Sequence, residues 1–231
     1  MRINDYDTFG AAYSAENETS LINAHYTRPA ILTLAGDVTN RKILDAACGS
    51  GPLTAALRDR GATVTGFDSS TTMLDLARHR LGPDVPLDLL DISAPLPYPT
   101  NEFDDAIAAL VLHYLQDWTT PLAELHRILK PGGRLIIAVN HPIIYKLLNP
   151  NADYFATTQW TDEYDFNGHK ATLTYWHHPL HAMTDAFTQA GFTTTTISEP
   201  PPTPEAKTLF PDALQDKDAF LCFIFFVLTA T

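Results

Sequence analysis

Between residues 41 and 139 short apolar runs alternate with stretches whose apolar side chains recur every three to four positions. Arg41 to Ala46 predicts a strand that opens into the loop Ala47-Cys48-Gly49-Ser50-Gly51. Pro52 to Arg60 follows as a helix: Leu53, Ala56 and Leu57 share a face, Pro52 suits a first turn and Gly61 stops it. Ala62 to Phe67 is a second strand, closed by Asp68. Ser69 or Ser70 caps a helix carrying Met73, Leu74, Leu76 and Ala77, which ends near Gly82-Pro83. Leu87 to Leu90 is a short third strand ending at Asp91, and Asp104 to Ala109 is a fourth. Leu110 to Leu115 opens a short helix, and Pro121 to Leu129 forms another, stopped by Lys130-Pro131-Gly132-Gly133. Arg134 to Val139 is the fifth strand.

Strands alternating with helices at this spacing specify a parallel α/β sheet covered on both faces. The order changes near the end. After a helix at about 180–190, Phe192 to Ile197 and Phe220 to Leu228 read as strands closing the sheet antiparallel. Residues 1–40 form a helical cap with Tyr6, Phe9, Tyr13, Leu21, Ile22 and Tyr26, interrupted before Pro29. The stretch 141–179 has no clean period and is rich in Tyr and Trp. A segment that long within a compact domain is usually functional, so a lid over an apolar, aromatic substrate is expected there, with His177-His178 as part of its structure.

The whole chain, 1–231, reads as one domain. Its 15 Lys and Arg against 27 Asp and Glu give a net charge of −12, which argues against a nucleic-acid partner. The absence of a long apolar run argues against a membrane span, and the first seven residues lack the apolar core of a signal peptide. Two cysteines, Cys48 and Cys222, cannot build a disulfide framework. A cytoplasmic location is the expectation, and the oligomeric state is left open. No His, Asp and Glu cluster has metal-ligand spacing, so no metal is expected, and Cys48 is expected to be a packed side chain.

The chemistry gathers at strand ends. Gly49 and Gly51 let the backbone turn tightly and approach a ligand. Asp68 stands at the next strand tip, where a carboxylate can accept both hydroxyls of a ribose. Asp91 ends the third strand, on the adenine side of such a nucleoside. A dinucleotide fingerprint would require a glycine where Thr54 stands, and Asp45 would set its charge against phosphates. A carboxylate at 45 suits a ligand carrying ammonium and sulfonium groups and no phosphate.

These residues resemble a known family. Ile43 to Gly51 looks like motif I of class I S-adenosylmethionine-dependent methyltransferases, with Ala47 in place of the usual first glycine. Thr65 to Leu74 resembles their second-strand motif. Leu96-Pro97-Tyr98 with Phe103-Asp104, Leu110 to Leu115, and Leu125 to Leu135 resemble their later segments. The likeness is greatest to the branch related to ubiquinone and small-molecule methyltransferases. It implies a Rossmann-like, seven-stranded, mostly parallel sheet with an antiparallel last strand, helices on both faces and a lid insertion. It further implies methyl transfer from S-adenosylmethionine, leaving S-adenosylhomocysteine, to a small molecule. By that resemblance, Asp45 and the backbone from Ala47 through Gly49 to Gly51 hold the methionine part. Asp68 binds the ribose, Ser69 and Met73 pack on the adenine, and Asp91 with Ile92 meets its amine. Ala109 lies beside the methionine amine, Tyr13 and Tyr26 cover the cofactor, and Arg28 pairs its carboxylate. His141 and His113, standing after the fifth and fourth strands, are the candidate bases. Glu199 is assigned to a turn. A catalytically silent cofactor-binding or scaffold protein remains an alternative, and a nicotinamide-dependent oxidoreductase is opposed by Asp45 and Thr54.

Overall fold

A computed structural model describes residues 4–166, 168–214 and 220–231. The first three residues, part of the stretch read for a leader, lie outside it. Seven strands form one sheet: β1 (Lys42–Ala46), β2 (Thr63–Asp68), β3 (Leu87–Leu89), β4 (Phe103–Ala109), β5 (Leu129–Asn140), β8 (Phe192–Ser198) and β9 (Phe223–Ala230), in the order β3-β2-β1-β4-β5-β9-β8. β6 (Thr158–Phe166) and β7 (His169–His177) pair separately as an antiparallel hairpin. β1 to β5 run parallel, and β9 lies antiparallel between β5 and β8. The expected α/β class and antiparallel closure are both present.

Period-two alternation sorts side chains to the two faces. Leu44, Ile137 and Phe226 join one core beneath α5 (Thr119–Ile128) and α7 (Leu180–Gln189). Their neighbours Ile43, Ile136 and Phe225 join the other, beneath α2 (Arg28–Ala35) and α3 (Pro52–Arg58). α4 (Thr71–Leu81) follows β2, with Ser70 capping it through a hydrogen bond from the Met73 amide. Because β2 and β4 flank β1, the chain leaves β1 and β4 in opposite directions. That opens a crevice at their carboxyl ends, the ligand position of open α/β sheets.

The helical cap is interrupted before Pro29, at residues 18–20; beyond the break a π-turn at Asn23–Thr27 runs directly into α2, where Pro29 occupies the first turn. Two readings are corrected in outline. The segment 141–179 contains α6 (Pro142–Leu148) and the β6–β7 hairpin, not an aperiodic stretch. Two short helices, α8 (Ala206–Leu209) and α9 (Pro211–Leu214), interrupt the final connection.

The first helix, α1 (Tyr6–Asn17), is pinned over the crevice by polar contacts to the loops that frame it. Asp7 accepts from the Ser70 hydroxyl at 2.6 Å and the Thr72 amide at 3.0 Å. Ser14 donates to Ser50 in the glycine loop at 2.7 Å. On its far side α1 meets the hairpin, where Phe9 stacks on Phe166 and Asn4 exchanges two hydrogen bonds with the Thr174 backbone.

Candidate active site

Where β1 ends, the chain adopts left-handed backbone at three residues: Ala47 (φ 60°), Gly49 (φ 57°) and Gly51 (φ 78°). Gly49 requires only the backbone freedom. Gly51 requires space too, because a Cβ there would lie 2.8 Å from Leu81 of α4. Ala47 takes the same region with a methyl, at a cost of roughly 1–2 kcal/mol. Ala47→Gly is therefore expected to raise stability by about 0.5–1 kcal/mol, after allowing for glycine's larger unfolded-state entropy. Urea unfolding with an unchanged slope checks this, and a lower midpoint contradicts it.

The crevice is a cavity of about 380 Å³, within the range of roughly 300–1,000 Å³ usual for small-ligand sites. It brings together Asp45, Ala47, Gly49, Asp68, Ser69, Met73, Asp91, Ile92, Ala109, Tyr13 and Arg28 among the sequence-assigned residues. Gly51 stands behind the loop, shaping it rather than lining it. The Asp68 carboxylate accepts from the Gly49 amide and the Ser70 amide, each at 2.9 Å. It thus ties the glycine loop to the start of α4, at the strand tip assigned to a ribose. Asp91 accepts the amide and hydroxyl of Ser93 through one oxygen. Arg28, the one cation among the described lining residues, is oriented by the backbone and side-chain oxygens of Asn17, at 2.9 and 2.7 Å.

Asp45 is 1% exposed, and burial raises its carboxyl to about 6. Thr54, fully buried, donates to it at 2.6 Å and opposes that rise. The position that excluded a dinucleotide fingerprint is thus the hydroxyl that steadies Asp45. A cationic ligand beside Asp45 favours its ionised form, so affinity is full above about pH 6. Below that pH a proton must be displaced, and affinity is expected to fall by about tenfold per unit until the lower value of the complex is reached. Calorimetric titration between pH 5 and 8 checks this. A flat profile for the native chain, or an unchanged profile in Asp45→Asn, contradicts it.

Besides Gly51, three residues assigned from sequence are not brought to the cavity. Tyr26 is 1% exposed and packs on Phe220, Phe223 and Phe225 in the core. The π-turn carries an extra residue per turn, which turns Tyr26 inward while Asn23, Thr27 and Arg28 line the cavity. His141 caps α6: its Nδ1 accepts from the Ile143 amide at 3.1 Å, and its Nε2 donates to Glu199 at 2.6 Å. Glu199 therefore holds a histidine rather than only shaping a turn. His113 is 4% exposed; its Nδ1 accepts from the Asn140 amide, and burial lowers its pKa to about 3. Neither histidine meets the cavity where an acceptor would sit.

The structure adds residues that the sequence reading had used only as helix formers. Tyr6 and Tyr114 line the cavity and share a 2.7 Å hydroxyl–hydroxyl hydrogen bond. Burial pushes both phenols well above their ordinary value, so they act as neutral hydrogen-bonding groups. The aromatic residues of 141–179 do not themselves line the cavity. Tyr175 stacks on Tyr114 and Phe166 packs against Tyr13, so the hairpin is the second layer behind the lining. The sequence signal for Tyr114 was its place just after strand four; the structure adds that the turn there opens with Leu110 in left-handed backbone (φ 56°).

The strand order and the cavity at the β1–β4 switch point define a class I S-adenosylmethionine-dependent methyltransferase fold. Comparisons with known proteins agree. Residues 44–137 match the family described as "Methyltransferase domain". A demethylmenaquinone methyltransferase of Clavibacter sepedonicus is 34% identical over 134 residues, covering 57% of this chain and 55% of that protein. A malonyl-[acyl-carrier protein] O-methyltransferase of Salmonella typhimurium is 36% identical over 125 residues, covering 54% of this chain and 49% of that one. The chain thus spans about half the length of the curated relatives it matches. A candidate S-adenosylmethionine-dependent methyltransferase of Listeria monocytogenes shares the fold, with a TM-score of 0.74 at 21% identity over 89% of this chain and 96% of that one. The fold is that of the class I S-adenosylmethionine-dependent methyltransferases, with the methyltransferase domain matched over residues 44–137.

The residues present fit that family's cofactor. The buried carboxylate at 45 would suit its ammonium and sulfonium, the cation at 28 its carboxylate, and the strand-tip carboxylates at 68 and 91 its ribose and adenine.

Proposed function

We propose that this chain transfers a methyl group from S-adenosylmethionine to a ring carbon of a small, planar aromatic acceptor: the methyl–sulfur bond breaks as the carbon–carbon bond forms, and the acidified ring proton then leaves to solvent without a histidine base. S-Adenosylmethionine supplies a methyl carried on a sulfonium. Asp45, the glycine loop, Arg28, Asp68 and Asp91 hold the donor, while Tyr6, Tyr13 and Tyr114 bound the acceptor space. The supporting observation is that tyrosine wall, with both candidate histidines engaged elsewhere. Rate then comes from alignment and exclusion of water rather than from proton abstraction. A ring of the quinone-precursor kind suits the wall, in keeping with the activity named for the Clavibacter relative. A carboxylate acceptor, as in the name of the Salmonella relative, is the second reading: it also needs no base, and Arg28 supplies a cation. Among the described residues no helix is long and apolar enough to cross a membrane. Cys48 and Cys222 are both free, which favours a reducing compartment.

The test follows S-adenosylhomocysteine release over a panel of hydroxylated aromatic rings and short-chain malonyl thioesters, with product mass and bond position determined. Carbon methylation of a ring supports the proposal, an ester product selects the second reading, and no turnover with either supports a silent binding protein. In the same assay His141→Ala is expected to keep kcat within about threefold, since removing a positioned general base would cost roughly 10²–10⁴-fold. A loss in that range restores His141 as the base.

A further inference from the structure

Behind the tyrosine wall, separate from the crevice, lies a cavity of about 10 Å³ lined by His113, Asn140, Trp176 and His178 among others. Three buried polar atoms on this lining have no hydrogen-bond partner within the protein: His113 Nε2, Trp176 Nε1 and His178 Nδ1. Leaving such an atom unpaired is costly, and three of them around one void call for a common partner.

Their proton inventory follows from the other bonds each ring makes. His113 Nδ1 accepts from the Asn140 amide at 3.1 Å, so the proton of this neutral ring is on Nε2, which is a donor. His178 Nε2 faces the Gln116 carbonyl at 3.0 Å and must donate to it, so its Nδ1 is an acceptor. Trp176 Nε1 is a donor only. The void therefore presents two donors and one acceptor. An ammonium ion cannot accept the two donors. A halide can, but it would face the lone pair of His178 Nδ1. A water molecule accepts twice and donates once, the usual three bonds of a buried water, and needs about this volume.

We propose that a single buried water binds here, accepting from His113 and Trp176 and donating to His178. It joins three parts of the chain: the turn after β4, the end of β7 and the residue pair leading into α7. His113 directly precedes Tyr114, so this water braces the turn that presents Tyr114 to the crevice against the root of the hairpin. It also holds His113 as the Nε2–H tautomer, with both ring nitrogens committed.

A high-resolution crystal structure of the full chain, with a second crystal soaked in bromide, tests this directly. The expected result is one density peak about 2.7–3.2 Å from all three atoms, without anomalous signal in the bromide crystal. In solution, the Trp176 indole proton should show cross-relaxation with a long-lived water, and this should vanish in Trp176→Phe. That variant should lose about 2–4 °C in Tm, about 1 kcal/mol for a chain of this size. An empty void, an anomalous bromide peak, or rings turned to hydrogen-bond one another directly would each overturn the proposal. These readouts need no methyl acceptor, so a failed activity assay leaves them intact.

Discussion

Asp105→Ala is expected to cost about 3 kcal/mol of stability, with a fall in Tm of roughly 6–12 °C, while leaving cofactor affinity unchanged. Asp105 is fully buried near the start of β4. Both its oxygens are bound by guanidinium groups: Arg41 donates at 2.7 Å through Nη2 and also through Nε, and Arg134 donates twice at 2.8 Å. Removing the carboxylate strands two cations at the junction of β1, β4 and β5. Arg41 and Arg134 each retain about a third or less of their side-chain exposure (33% and 27%), so partial rehydration keeps the loss at the lower end of the range for a broken buried pair. Asp105 lies four residues from Ala109, towards the end of β4 away from the crevice, which is why binding is spared. Denaturant unfolding and calorimetric titration of the same variant check both halves. A loss below about 1 kcal/mol, or a large loss of affinity at preserved stability, contradicts the assignment of Asp105 to structure alone.

Asp68→Ala is the opposite case: binding is expected to weaken by about 1.5–3 kcal/mol, roughly 10–150-fold, with a smaller loss of stability. The carboxylate does two things at once. It accepts the Gly49 and Ser70 amides, fixing the glycine loop against the start of α4, and it stands at the strand tip where the ribose hydroxyls would be received. Asp68→Asn keeps the size and one acceptor oxygen but sets an amide against an amide donor, so it should recover little. Affinity within about twofold of the native chain in either variant would place the ribose elsewhere.

The central fold was legible because its signals are local. Apolar runs ending in Asp45, Asp68 and Ala109, each followed by a turn or helix start, give the strand ends, and the sheet order carries those ends to one crevice. The hairpin was less legible although its alternation is present. Trp160, Tyr164 and Phe166 fall on one side of β6, but Asp162 shares that side, which blurs the period. Its aromatic residues belong with Tyr6, Phe9 and Tyr13 of α1, a contact that only tertiary structure supplies. Tyr26 was assigned by resemblance alone, and the π-turn, which no local sequence signal announces, turns it onto Phe220, Phe223 and Phe225 instead. His141 was misjudged for a different reason. It does end β5, but the crevice opens between β1 and β4, so the end of β5 lies one strand away and its imidazole caps a helix. Tyr114 could have been found by asking which polar side chains follow β4, since the connection after that strand leaves at the crevice.

One calorimetric measurement tests the assignment of the crevice most directly: titration of the purified chain with S-adenosylhomocysteine and, separately, with NAD. The expected result is saturable one-to-one binding of S-adenosylhomocysteine and no heat from NAD at the same concentrations, because Asp45 and Thr54 leave no place for a pyrophosphate. Preferential binding of NAD, or no binding of S-adenosylhomocysteine by the folded chain, contradicts the assignment of the crevice.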